Sequence, residues 1–213
     1  MTKAEIILKD LKLSKKRLLH TLGVVESAKT LAKRHFPNLS LEKTEVAALL
    51  HDFTKEYSQE EQKELCKKYN IYIPSEEADI QKLYHAKTSA AVAKFIYGVD
   101  EETESAIYYH TTGRANMTDA EMILYFADYI EPNRTEKSCV EVREYYNKCL
   151  VSEHNHLKAL KKSVLFSLDQ TIKYLLKDNE KICVATIEAR NSLLDYINYK
   201  KSNQGKDTNN DRQ

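Results

Sequence analysis

Four glycines and three prolines are all that 213 residues offer for breaking a helix or turning a strand. Sandwiches and barrels need turn residues roughly every ten positions, and this chain does not supply them. An all-α fold is therefore expected. Apolar residues make up 42% of the chain and charged residues 31%, a balance that supports a buried core and excludes wholesale disorder. The length fits a single domain over residues 1–200, followed by a polar stretch, 201–213, that reads as a disordered tail.

Charge narrows the partners. Lys and Arg total 33 against 32 Asp and Glu, a net charge of +1, so nothing draws the whole molecule to a nucleic acid polymer or an anionic membrane. The N-terminal segment MTKAEIILKDLKLSKKRLLH has no apolar core, and no stretch approaches the roughly 20 apolar residues of a membrane span. A cytoplasmic location is expected. Cys66, Cys139, Cys149 and Cys183 are scattered without a C-x-x-C pair, and read as buried apolar residues or idle thiols rather than zinc ligands or disulfides.

Periodicity indicates about nine helical segments. Ser14 precedes a run to His35 with Leu18, Leu22, Val25 and Ala32 on one stripe. Ser58 with Glu61, Thr118 with Glu121, and Ser138 with Glu141 each fit the S/T-x-x-E capping box. Gly98 and Pro132 mark helix ends. Residues 153–178 read as a long amphipathic helix, and Thr186 as the cap of a last one to about Lys200. Loops fall at 36–40, 70–75, 112–117 and 131–137, and Ile71-Tyr72-Ile73 could be locally extended.

Histidine carries the chemistry. His51 and Asp52 end the apolar helix EVAALLHDFTKEY. Neighbouring helical side chains diverge by about 100°, so both serve one site only where the helix is ending. Asp128, in EMILYFADYIEPNR, has Leu124 and Tyr125 behind it, and His110, in SAIYYHTTGR, has Ala106 and Ile107. A carboxylate on an apolar stripe is costly unless it is paired or binds a metal. A salt bridge from Asp128 to Arg134 is the alternative to ligation. Imidazole with carboxylate suits Fe, Mn, Co or Zn, and an Asp can bridge two ions. His35, His154 and His156 fit no such pattern and read as surface or core residues.

Laid along the chain, His20, His51-Asp52, His85, His110 and Asp128 follow the order H…HD…H…H…D. In this order the sequence resembles the HD-domain metal-dependent phosphohydrolases. The segments RLLHTLGV (17–24), LLHDFTKEY (49–57), HTTGRANMTDAEMILYFADYIEPNR (110–134) and TIEARN (186–191) are similar to the bacterial YqeK-type subgroup. Members of that subgroup split diadenosine tetraphosphate symmetrically into two ADP. The resemblance implies a helical bundle with a dinuclear centre of two divalent ions, most often iron. His20, His51, Asp52 and Asp128 would hold one ion, and His85 and His110 the other, with Asp52 bridging. A hydroxide shared by the ions would attack the dinucleoside polyphosphate.

Asp52 and Lys55 are thus the expected catalytic residues. Lys55, Thr111, Thr112, Arg114 and Arg134 are the expected phosphate contacts, with Lys55 and Arg114 ranked ahead of Arg134. Two other readings stay open: a nucleoside monophosphate phosphatase or cyclic-nucleotide phosphodiesterase on the same scaffold, and a nucleotide-binding regulatory module without turnover. The aromatic-rich helix at 139–150 leaves a homodimer open.

Overall fold

The computed structural model describes residues 1–207, with no strand among them. The order is α1 (Lys3–Asp10), α2 (Lys15–His35), α3 (Leu41–Leu50), α4 (Gln59–Lys68), α5 (Gln81–Tyr97), α6 (Glu101–Tyr109), α7 (Asp119–Ile130), α8 (Lys137–Ser152), α9 (His156–Lys177) and α10 (Val184–Asp207). A single 3-10 turn, Ser75–Glu77, lies between α4 and α5. Residues 71–73 take no regular form.

Local chemistry explains most of the boundaries. Ser58 and Thr118 form the expected reciprocal boxes with Glu61 and Glu121, and Thr2 forms another with Glu5. Each satisfies two orphan N–H groups and contributes about 1 kcal/mol. Ser14 caps α2 by accepting the Arg17 N–H. Gly98 closes α5 at φ +58°, a left-handed position that glycine adopts without Cβ strain. α7 stops at Ile130, two residues before Pro132.

Two expected caps fail. α8 starts at Lys137, so Ser138 lies inside its first turn and no side chain caps the helix. Glu141 instead accepts a hydrogen bond from Gln170 Nε2 of α9 at 2.9 Å, a tertiary contact that displaces the local box. Thr186 likewise sits within α10, buried, rather than ahead of it. α10 continues to Asp207, so 201–207 of the expected tail are helical, and 208–213 lie outside the described residues.

α2 packs on α3 and α7, α5 on α6, α6 on α7, and α8, α9 and α10 follow as successive neighbours. α7 is buried from Glu121 to Ala127, and α5 from Tyr84 to Ala93. Alanines at 86, 90, 91 and 93 let neighbouring backbones approach α5 closely. Leu49, Leu50, Ile107, Ile123, Leu124, Phe126, Leu160 and Leu168 fill the core, each worth about 2 kcal/mol on burial. Tyr145 packs on Phe166 and Tyr146 on Phe126, so the aromatic side chains of α8 that suggested a homodimer are directed into the fold. The early turns of α2 and α5, the ends of α3 and α6, and the last turn of α7 converge on one point.

Candidate metal and phosphate site

At that point lies Asp52, 3% exposed, in the turn that ends α3. Its oxygens face different histidines. Oδ2 is 3.3 Å from His51 Nε2 and 3.5 Å from His20 Nε2, whereas Oδ1 is 3.2 Å from His85 Nε2 and 3.8 Å from His110 Nε2. Asp128 Oδ1 lies 3.0 Å from His20 Nε2 and 3.9 Å from His51 Nε2. All six expected ligands are brought together. They form three overlapping donor sets, His20–His51–Asp52, His51–His110–Asp128 and Asp52–His85–His110, with ligand atoms within 4.8 Å of one another in each.

These residues fit metal ions. His51 and His110 each place Nδ1 2.7 Å from a carbonyl oxygen, Ala48 and Ile107, which keeps the proton on Nδ1 and the lone pair on Nε2. His20 Nε2 and His51 Nε2 are buried beside carboxylates without a well-directed hydrogen bond. Apolar burial of such atoms is expensive unless something else coordinates them. No cysteine belongs to a donor set, so the chemistry is that of borderline and hard cations.

The charges are tightly coupled. Burial opposes ionisation of Asp52, but the imidazoles of His51, His110 and His20 gathered around it hold its carboxyl well below the usual range. Burial likewise opposes Asp128, and the Arg134 guanidinium and His20 overcome it. Burial disfavours the His20 imidazolium, yet the Asp128 and Asp52 carboxylates close to it raise it to about 9. His85 is fully enclosed, and burial pushes it down to about 4 despite its bond to Asp52. Burial also lowers Lys55.

Two cavities meet at this centre. One, of about 320 Å³, is lined by Lys16, Arg17 and Arg134 together with the carboxylates of Asp52, Asp128, Glu131 and Glu136. The other, of about 270 Å³, is walled by Ile80, Leu83, Tyr125, Tyr129, Leu175 and Cys183. Lys55, Thr111, Asp128 and Arg134 border both.

The expected phosphate contacts divide. Lys55 Nζ lies 3.2 Å from His85 Nε2, and Arg134 Nη2 donates to Asp128 Oδ1 at 2.7 Å, so the ion pair and the proximity to the site are both realised. Thr111 and Thr112 follow His110 in the turn after α6, and Thr112 reaches only the apolar cavity. Arg114 borders neither cavity. Its Nε donates to both oxygens of buried Glu121, at 2.8 and 3.0 Å, and its guanidinium lies over Tyr109.

Other site residues escaped the sequence reading. Arg17 donates to Asp52 Oδ2 at 2.7 Å; it stands one helical turn before His20, which was the available signal. Glu131 approaches His20 Nδ1 at 3.1 Å and gives no pattern of its own before Pro132. Thr54 pins the turn after Asp52 to α4, accepting the Gln62 amide N–H through its carbonyl, and to α5, bonding His85 O, Thr88 and Ser89 through its hydroxyl.

Residues 17–133 match the HD domain family. The symmetrical bis(5′-nucleosyl)-tetraphosphatase of Bacillus subtilis is 34% identical over 85% of this chain and 91% of its own. That of Staphylococcus aureus is 34% identical over 92% of this chain and 94% of its own. The crystal structure of a Clostridium acetobutylicum HD superfamily hydrolase, described as involved in NAD metabolism, superposes with a TM-score of 0.77 at 35% identity, covering 91% of this chain and 96% of that one. The matched span contains every one of the converging His and Asp residues, and the resemblance extends over nearly whole chains: this protein belongs to the HD-domain family, in the group of the symmetrical bis(5′-nucleosyl)-tetraphosphatases.

Proposed function

We propose that the chain hydrolyses diadenosine tetraphosphate symmetrically, releasing two ADP, with two divalent ions held between its histidines. The carrying observation is the division of Asp52, one oxygen toward His20 and His51 and the other toward His85 and His110. Asp128 would complete the first set. Iron leads the candidates, with Mn, Co and Zn also suited to imidazole and carboxylate. Bound divalent ions lower the pKa of coordinated water and neutralise phosphate charge.

The protein's own groups handle the substrate. Arg17 and Arg134 are held at the cavity by Asp52 and Asp128, and can exchange those carboxylates for phosphate oxygens as planar forks. Lys55 reaches the same place as a point charge beside His85. ADP leaves as a stable anion, so charge neutralisation matters more than protonation of the leaving group. The apolar cavity, walled by Leu83, Tyr125 and Leu175, suits a nucleoside, and the other, with Lys16, Arg17 and Arg134 at its edge, suits the rest of the chain of phosphates. We place the protein in the cytoplasm, where such nucleotides are met; no helix among the described residues is long and apolar enough to cross a membrane.

Product chromatography tests the reading. ADP as sole product supports it, and AMP with ATP contradicts symmetrical cleavage. Release of phosphate from nucleoside monophosphates in place of this reaction would favour a monophosphatase. Metal-loaded protein that binds the nucleotide and releases nothing over hours would be a regulatory module.

A further inference from the structure

The histidines of the centre do not orient themselves alike. His51 and His110 use carbonyls three residues back, a neutral partner available at a helix end. His20 instead turns Nδ1 to a carboxylate: Glu131 Oε1 lies 3.1 Å away, from 111 residues further along the chain, and the Glu131 residue is 1% exposed. The second oxygen of Glu131 accepts the Asn133 N–H at 2.8 Å.

The surroundings are built for this contact. Arg143 of α8 donates to the carbonyls of Ile130, Glu131 and Arg134 at 3.3, 2.8 and 2.7 Å, bracing the turn that carries Glu131. Asn133 Nδ2 donates to Leu19 O at 3.3 Å, tying the same turn to α2. α2 leaves the space. Gly23 follows His20 by one turn on the same face, and a Cβ there would stand 2.3 Å from Glu131 Oε2 and 2.8 Å from Asn133 Nδ2. Glycine inside a helix is destabilising relative to alanine, so its presence here has a packing reason in the carboxylate it admits.

We infer that Glu131 is a positioning residue for the metal centre: it accepts a hydrogen bond from the Nδ1–H of His20, directs the Nε2 lone pair inward, and strengthens that donor with its charge. The inference rests on reading His20 as a metal ligand. A carboxylate behind a ligating imidazole fixes its tautomer and basicity, and losing such a partner typically weakens metal affinity about 10- to 100-fold.

The test is Co²⁺ titration of the metal-stripped full chain, followed by absorbance, with circular dichroism to establish folding. Glu131→Ala should weaken Co²⁺ affinity about 10- to 100-fold, and Glu131→Gln, which keeps an acceptor oxygen, by less. Gly23→Ala should also weaken it, because the new methyl meets side-chain ends, Glu131 Oε2 first and Asn133 Nδ2 next, and pushes the carboxylate off His20. These two variants carry the test should Glu131→Ala not fold. In a His20→Ala background, Glu131→Ala should change nothing further. Wild-type affinity in folded Glu131→Gln and Gly23→Ala overturns the inference. So does an equal Glu131→Ala loss with and without His20, which would assign Glu131 to the fold alone. If His20→Ala itself binds Co²⁺ as the wild type does, the ligand assignment of His20 falls first.

Discussion

Asp52 carries the heaviest assignment of any side chain here, since both of its oxygens are engaged. Asp52→Ala should therefore lose bound metal and turnover together, checked by elemental analysis beside product chromatography. Retention of half the metal with activity would point to a mononuclear site. Lys55 and Arg114 were paired as phosphate contacts by sequence, and the structure separates them. Lys55→Ala should keep its metal and lose on the order of 10²-fold in kcat/KM, as removal of a preorganised charge does. Arg114→Ala should leave kcat/KM nearly unchanged and destabilise the fold by about 1–3 kcal/mol in urea titration, because it leaves the buried Glu121 carboxylate with the Thr118 N–H and the Ser105 hydroxyl but without its charged partner. The convergence of the six His and Asp residues was legible because histidine and aspartate on apolar faces are costly without a purpose. Arg17 and Glu131 were not, because a cation in KKR and an acid before a proline look like ordinary solvated residues until the fold joins positions far apart in sequence.

Among elements, helix boundaries were legible where local chemistry decides them and illegible where tertiary contacts do. The boxes at Ser58 and Thr118 and the left-handed Gly98 follow from nearest neighbours in sequence. The start of α8 does not, since Glu141 prefers Gln170 across the α8–α9 interface. α6 offers a pH test remote from the site. Asp100 caps it, accepting the Thr103 N–H and pairing with Lys43, and the hydrogen bond from Lys43 and that from Thr103 lower its carboxyl to about 2. A depressed folded-state value means that the stability Asp100 contributes is present above its ordinary value near 4, and is lost as pH falls from there through about 2. Asp100→Asn keeps a capping oxygen and removes the titration, so acid unfolding curves of this variant and the wild type should converge toward pH 2.

At the scale of the molecule, net charge says little and its placement says more. Lys16, Arg17, Lys55 and Arg134 gather at one cavity of a nearly neutral protein, where they face Asp52, Asp128, Glu131 and Glu136, so divalent ions bound at the carboxylates would leave that cavity net positive. A polyanionic substrate should feel that patch within a Debye length of about 8–10 Å, so raising salt from 0.05 to 0.5 M should raise KM severalfold and leave kcat comparatively unchanged. Equal effects on both would argue against long-range attraction. The same map has an uneven authorship. Every residue of the three candidate donor sets lies before residue 134, yet Leu175, Glu180, Lys181, Cys183 and Thr186, in and between α9 and α10, also line the apolar cavity. The closing pair of helices thus shares the nucleoside's wall with Ile80, Leu83, Tyr125 and Tyr129, and grafting that pair from a relative with different nucleotide tastes should shift preference among nucleotides while the donor sets stay untouched.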